Sequence, residues 1–297
     1  MSDFAFRLSH VSRQFTHFKL QDIDLELERG GVMGLIGPNG AGKSTVIRIL
    51  MGLMAADQGQ IEVLGQPIPQ AQALAKRDIG FASEDLRLYK NMTLSWHMRF
   101  VESIFPEQWD QLYADKLLKS FDLIKEQKIK GMSHGQRVKA SLLLILARHP
   151  GFLILDEPTT GLDPVARKEV LNELMLVLAD DERSILFSSH NTQDVEQLSD
   201  LITFIDRGVI VNSQDKESFI EDWRRVRLTT DQAIEVNGRI REVIQHGHTA
   251  TLTVQHFGDD LLHDLTASGA TIQGVEHMNL EEVFVAEVEA KRSGAPS

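Results

Sequence analysis

The stretch Gly37-Pro38-Asn39-Gly40-Ala41-Gly42-Lys43-Ser44-Thr45 constrains this chain more than any other. It follows the apolar run Val32-Met33-Gly34-Leu35-Ile36 and opens into Val46-Ile47-Arg48-Ile49-Leu50, so a short buried strand, a glycine-rich loop and a helix beginning near Lys43 succeed one another. Such a junction gathers backbone N–H groups and the positive end of a helix dipole around one point, which suits a polyphosphate. In this P-loop pattern Lys43 reaches the β- and γ-phosphates and the Ser44 hydroxyl is a ligand for Mg²⁺.

Composition narrows the field around that cradle. With 297 residues, 42% of them hydrophobic, the chain can bury a sizeable core and hold one large domain or two unequal ones. A net charge of −12 argues against a surface built to grip nucleic acid, and the absence of cysteine excludes disulfides and thiolate zinc sites. Met1 to Arg7 lacks the pattern of a signal peptide, and the longest apolar run, Leu142 to Ala147, is too short to span a bilayer. The chain alone is therefore expected to be soluble.

Residues 4–29 alternate as strands, notably Ile23-Asp24-Leu25-Glu26-Leu27. Between them Phe15 and Phe18 lie in a polar loop, where an aromatic ring can stack on a purine. Gln60 to Leu64 and Asp78 to Phe81 read as further strands, and Thr93 to about Lys130 as a helical insertion broken at Pro106. Met132-Ser133-His134-Gly135-Gln136 then precedes an apolar-faced helix, with Ser133 as its N-cap: a second helix N-terminus able to face phosphate. Phe152-Leu153-Ile154-Leu155 fits a parallel strand buried on both faces, and Asp156-Glu157 fall at its carboxyl end, where open α/β sheets hold ligands. Ser184 to Ser189 is a third such strand and delivers His190 to the same edge.

Hydrolysing a nucleotide needs Mg²⁺, a group that orients or deprotonates water, and donors for the charge developing on the γ-phosphoryl. Asp156 suits the metal shell and Glu157 the attacking water. Taken in order, Gly37 to Thr45, Met132 to Gln136, Phe152 to Glu157, Gly161-Leu162-Asp163 and His190 resemble the nucleotide-binding subunit of an ATP-binding cassette (ABC) transporter, over roughly residues 4–212. The resemblance implies an α/β fold: a P-loop ABC ATPase core of mixed sheet and helices with a helical subdomain, which binds ATP and Mg²⁺ and dimerises head to tail. It implies phosphate contacts from Asn39, Gly40, Ala41, Gly42, Lys43, Ser44 and Thr45, and metal contacts from Ser44 and Asp156. Glu157 takes the role of catalytic base, His190 of the γ-phosphate switch, Asp163 of the cross-dimer aspartate and Phe15 of the adenine-stacking ring. Ser133, Gly135 and Gln136 would close over the ATP of the opposite subunit.

Two positions depart from the family pattern. Glu84 stands where glutamine is usual; its carboxylate can still meet Mg²⁺ or water and counts here as both a catalytic and a metal candidate, but it has no amide hydrogen to donate. His134 replaces the first glycine of the usual Leu-Ser-Gly-Gly-Gln, and is expected to be a solvent-facing imidazole.

The expected division is an ATPase domain over 1–224, with its helical subdomain at about 85–148, a small α+β C-terminal domain over 225–290 and a tail over 291–297. Ile202 to Val211 reads as a hairpin turning at Arg207-Gly208, Lys216 to Trp223 as a helix, Thr249 to Gln255 as a strand, Asp259 to Ala267 as a helix, and Asn279 with Glu282 as a capping box opening the last helix. His246-Gly247-His248 is taken as a polar turn. Asn279 to Phe284 is similar to the ends of subunits that serve exporters. The partners expected are a transmembrane permease, docked near Leu86, Leu88, Tyr89 and Trp96 on the cytoplasmic face of the membrane, and a second ATPase subunit, identical or related. The competing reading is a soluble ABC ATPase acting on ribosomes or nucleic acid, which the acidic charge disfavours.

Overall fold

The computed structural model describes residues 3–83, 88–178 and 182–293. By its internal contacts the chain forms two compact units, residues 1–199 with 205–210, and residues 200–204 with 211–297.

The first unit opens with β1 (Phe4–Gln14) and β2 (Lys19–Glu28), an antiparallel pair. In β2 strict alternation sends Leu20, Ile23, Leu25 and Leu27 inward and the acids outward, as a half-buried strand requires. Next come β3 (Val32–Ile36), α1 (Lys43–Leu50), β4 (Gln58–Val63), the short β5 (Gln66–Pro67) and α2 (Gln72–Ala75), then β6 (Ile79–Ser83). β4 returns alongside β1, giving an antiparallel sheet in the order β2-β1-β4-β5. The helical insertion holds α3 (Leu94–Ile104), α4 (Gln111–Ser120) and α5 (His134–Leu146), whose N-caps are Thr93, Asp110 and Ser133, each accepting a backbone N–H through its side chain. After it come β7 (Phe152–Asp156), α6 (Pro164–Val177), β8 (Ser184–Ser189) and α7 (Thr192–Leu198).

β3, β8, β7 and β6 lie side by side in parallel, in that order. Every residue of β3, β7 and β8 is buried, which accounts for their unbroken apolar runs: a parallel sheet is covered on both faces. On one face Phe152 stacks on Phe6 of β1, with centroids 5.9 Å apart. Helix α7 sits so close to β3 that a β-carbon on Gly34 would come within 2.2 Å of Val195 Cγ1 and 2.5 Å of Ser199 Oγ. The consequence is functional. With three parallel neighbours, the loops after β3, β7 and β8 all leave from one edge.

The hairpin of β9 (Leu201–Asp206) and β10 (Val209–Asp215) is divided between the units, its turn belonging to the first. The second unit continues through α8 (Lys216–Asp222), β11 (Arg224–Thr229), β12 (Ile240–His246), β13 (Thr249–Val254), α9 (Asp259–Ala267), β14 (Thr271–His277) and α10 (Leu280–Ser293). Its antiparallel sheet runs β12-β13-β11-β14, and Val226, Leu228, Leu252 and Val254 pack with Leu261 and Leu265 of α9. A second apolar group joins Phe204, Phe219 and Phe284, with centroids 4.7 and 5.1 Å apart. Asn279 and Glu282 make the expected reciprocal cap, at 3.0 and 2.9 Å. The turn at Gly247 joins β12 to β13, and His248 meets Asp231 there. Among the described residues no helix is long and apolar enough to cross a membrane.

The contact at Gly34 makes a direct test of how tightly α7 seats on the sheet. Gly34→Ala is expected to cost about 1–3 kcal/mol through overpacking, read as a lower urea midpoint, and Gly34→Ala with Val195→Ala is expected to recover part of that loss.

Candidate nucleotide site

The three loops leaving the parallel edge supply the site. After β3 the chain turns through Gly37 to Gly42, the N-cap of α1, whose φ of 117° lies in the left-handed region that favours glycine. The buried Lys43 donates from Nζ to Gly37 O at 2.6 Å and pairs with Glu157 Oε1 at 3.2 Å. Next to it Ser44 Oγ donates to Asp156 Oδ1 at 3.1 Å, an oxygen that also accepts from Ser188 Oγ at 2.7 Å. The P-loop helix, the end of β7 and the end of β8 thus meet at one carboxylate.

Glu157 is the second meeting point. It leaves β7 with φ of 56°, an uncommon conformation for a residue with a side chain, and its N–H is held by Ser188 Oγ at 3.1 Å. Its Oε2 accepts from Thr160 Oγ1 at 2.8 Å and meets His190 Nδ1 at 2.8 Å. Burial by itself pushes this carboxyl up; the Thr160 hydroxyl, the Lys43 ammonium and His190 outweigh that and hold it below its ordinary value. At neutral pH it is an oriented carboxylate with both oxygens engaged.

The second helix N-terminus is built as expected. Ser133 Oγ accepts from Gln136 N at 3.1 Å and Gln136 Oε1 accepts from Ser133 N at 2.9 Å, a complete capping box. Gly135 lies against α6, where an added β-carbon would touch Ala166 and Leu162 at 3.5 and 3.6 Å. Asp163 caps α6 by accepting from Val165 N and Ala166 N, and the hydrogen bonds from Ala166 and then Val165 keep its carboxyl below the usual range despite slight desolvation.

His134 departs from expectation. It is half-buried rather than solvent-facing, because Nε2 bonds to Thr160 O at 3.0 Å across the gap between α5 and the turn after β7. Asn39 and Gly40 are exposed on the cradle, Ala41 is buried with its N–H on Pro38 O at 3.1 Å, and Thr45 is half-buried in α1. Phe15 is half-buried, with Phe18 5.8 Å away between centroids; it is Phe18 that lies against the cradle, with Cζ 3.0 Å from where a β-carbon on Gly42 would stand. Glu84 and Leu86 lie outside the described residues.

Sequence reasoning passed over Ser188, Thr160 and Asp194. Ser188 carried a signal, since two hydroxyls end an otherwise apolar strand just before His190. Asp194 carried none: buried on α7, it accepts from Thr159 Oγ1 and from Arg167 Nε, each at 2.6 Å, and so ties the turn after β7 to α6 and α7.

A P-loop whose lysine and serine face an Asp-Glu pair at the end of β7, one strand removed from β3 in the same parallel sheet, defines a P-loop nucleotide-hydrolase site. The ABC transporter family matches residues 20–160. The chain is 29% identical to the ABC transporter ATP-binding protein YtrB of Bacillus subtilis, across 92% of this chain and 94% of that protein. It is 31% identical to the ABC transporter ATP-binding protein NatA of Bacillus subtilis, across 73% and 92%, and 34% identical to the Nod factor export ATP-binding protein I of Sinorhizobium fredii, across 70% and 62%. A solved ATP-binding subunit of an ABC transporter superposes with a TM-score of 0.66 at 25% identity, covering 73% of this chain and 92% of that one. The chain belongs to the ABC transporter ATP-binding subunits, ATPases whose hydrolysis is coupled to transport.

The depressed Glu157 carboxyl has a signed consequence. Its folded value lies below its unfolded value of about 4.3, so its contribution to stability is present above the unfolded value and is lost as pH falls through the folded one. Between about pH 5 and about pH 3 the wild type is therefore expected to lose more unfolding free energy than Glu157→Gln, in urea titrations at stepped pH.

Proposed function

We propose that this chain is the ATPase subunit of an exporter, and that two such cassettes close head to tail so that each ATP lies between the cradle of one and Ser133, Gly135 and Gln136 of the other. The observation that carries this reading is the engagement of Glu157 by Lys43, Thr160 and His190 beside the cradle. A carboxylate ionised and aimed in this way orients the attacking water and accepts its proton. Lys43, now on Gly37 O and Glu157, would transfer its ammonium to the incoming phosphates, the stronger acceptors. His190 would exchange part of its bond to Glu157 for the γ-phosphate. Asp163, exposed at the start of α6, would reach across the dimer, and Phe15 would stack on the adenine.

Ser44 Oγ and Asp156 Oδ1 are hard oxygen donors within 3.1 Å of each other, a pair that fits Mg²⁺. They would hold it, and when bound it neutralises charge on the phosphates.

Direction and partners follow from different features. The similarity to a Nod factor export protein and the Asn279 to Phe284 segment support export. A permease supplied by another chain would dock on the face of α3, where Tyr89 is 63% exposed and Trp96 stacks on Phe100 with centroids 5.2 Å apart, with Leu88 alongside. His97 braces that face: Nδ1 meets Thr93 O at 2.8 Å, so Nε2 is the acceptor for Tyr89 N at 3.0 Å. This would place the subunit on the cytoplasmic face of the membrane, with the α+β module over 225–290 appended to the ATPase.

Glu157→Gln is expected to keep ATP binding, to form an ATP-dependent dimer on size exclusion, and to lower kcat at least about 100-fold; wild-type turnover in this variant would sink the assignment of Glu157. Isolated from its native cell in mild detergent, the chain is expected to bring down a multi-spanning protein in stoichiometric amount. Recovery only in the soluble fraction would overturn the permease reading.

A further inference from the structure

We infer that His134 is a positioning residue: through Thr160 it ties the start of α5 to the carboxylate of Glu157 in the same chain, and so sets how well Glu157 is aimed. The inference rests on the reading of Glu157 as the group that orients water.

The connection is two bonds long. A carbonyl oxygen only accepts, so at the 3.0 Å contact with Thr160 O the proton is on His134 Nε2. Thr160 in turn donates from Oγ1 to Glu157 Oε2 at 2.8 Å, the oxygen that also meets His190 Nδ1. Thr160 N closes back on Glu157 O at 3.3 Å, so the residue is held at its N–H, its carbonyl and its hydroxyl. Only the carbonyl is held from another helix. Without His134, Thr160 keeps its bonds to Glu157 but loses its tie to α5, while Thr159 beside it stays on Asp194 of α7.

The surroundings are shaped to this contact. The imidazole lies over Gly161, whose φ of 72° is left-handed and where a β-carbon would approach the ring at 3.2 Å. A side chain there would be strained and would crowd His134 off the carbonyl. Next door, Gly135 stands against Leu162 and Ala166, so the first residues of α5 and the turn at 159–163 form one packed piece. His134, Thr160 and Glu157 also line the same cleft. The residues proposed to meet the opposite subunit's nucleotide are thereby linked to the chain's own hydrolytic carboxylate by a direct route.

This route acts on turnover and leaves nucleotide binding alone, because none of its bonds reaches Lys43 or the cradle except through Glu157 itself. The test uses the full chain, together with its permease where turnover requires it, and measures kcat and KM for ATP. His134→Ala and Thr160→Val are each expected to lower kcat roughly three- to tenfold, the worth of one hydrogen bond, with KM within about twofold of wild type. The double variant is expected to be no worse than either single one, since both break the same connection. His134→Gln, whose amide N–H can donate to the carbonyl, is expected to restore most of the turnover. In the Glu157→Gln background, His134→Ala is expected to change nothing further. Wild-type kcat in His134→Ala, losses that multiply in the double variant, or a change confined to KM would overturn the inference, the last by placing His134 on the nucleotide. Wild-type turnover in Glu157→Gln would instead remove the reading on which it rests.

Discussion

The carboxylate of Glu157 depends on three groups that come from three separate parts of the chain. Lys43 belongs to the helix after β3, Thr160 to the turn after β7, and His190 to the end of β8. Leaving an ionised carboxyl half-buried without partners costs several kcal/mol, so the site stands only when all three pieces are in register. That register comes from the sheet. Gly34 pairs with Phe187 and Asp156 with Ser188 in parallel ladders whose residues are wholly buried, and a slip by one residue would exchange the two faces of each strand. The apolar packing around β3, β7 and β8 therefore determines the electrostatics at their ends.

The same dependence explains what could be read from the sequence. The cradle, the Asp-Glu pair and the N-cap at Ser133 were legible because each is a local device: a run of glycines, a strand that ends in acids, a serine ahead of an apolar-faced helix. Thr160 and Asp194 were not legible, because their roles exist only once distant segments meet. His134 is the instructive case. Its position was legible and its setting was not, since the carbonyl it bonds lies 26 residues away in sequence, on a turn whose course is set by Gly161 and Asp163. Phe18 shows a related limit: two aromatics share a polar loop, and only the backbone decides that Phe18 is the ring packed against Gly42.

In the second unit the helices could be read, and of its four-stranded sheet β13 alone; β11, β12 and β14 could not. In Arg224-Arg225-Val226-Arg227-Leu228 only Val226 and Leu228 are buried, and the three arginines hide the alternation. Arg225 pairs with Glu282 and Arg227 with Glu276, so the polar face of β11 is satisfied by α10 and by its neighbour β14. β14 contains Gly274 and a register shift beside it, which removes the signature of a regular strand. Neither strand is recognisable alone; each is stabilised by pairing and by the apolar cluster of α9.

α5 and α6 are joined well beyond their N-termini. The buried Lys139 of α5 pairs with Glu169 of α6, and one turn further Glu173 of α6, also buried, accepts from Ser120 at the end of α4. Charged groups at such depth carry a desolvation cost that only well-placed partners offset, so they tolerate little sliding between the helices. Asp163 caps the helix that bears Glu169 and Glu173, and Ser133 caps the helix that bears Lys139. The contact of His134 with Thr160 lies at the end of this joint nearest Glu157. The Lys139–Glu169 pair joins α5 to α6, and the Ser120–Glu173 pair joins α4 to α6, so the helical insertion is tied to α6 by buried polar contacts as well as by the contact of His134 with the turn that precedes it.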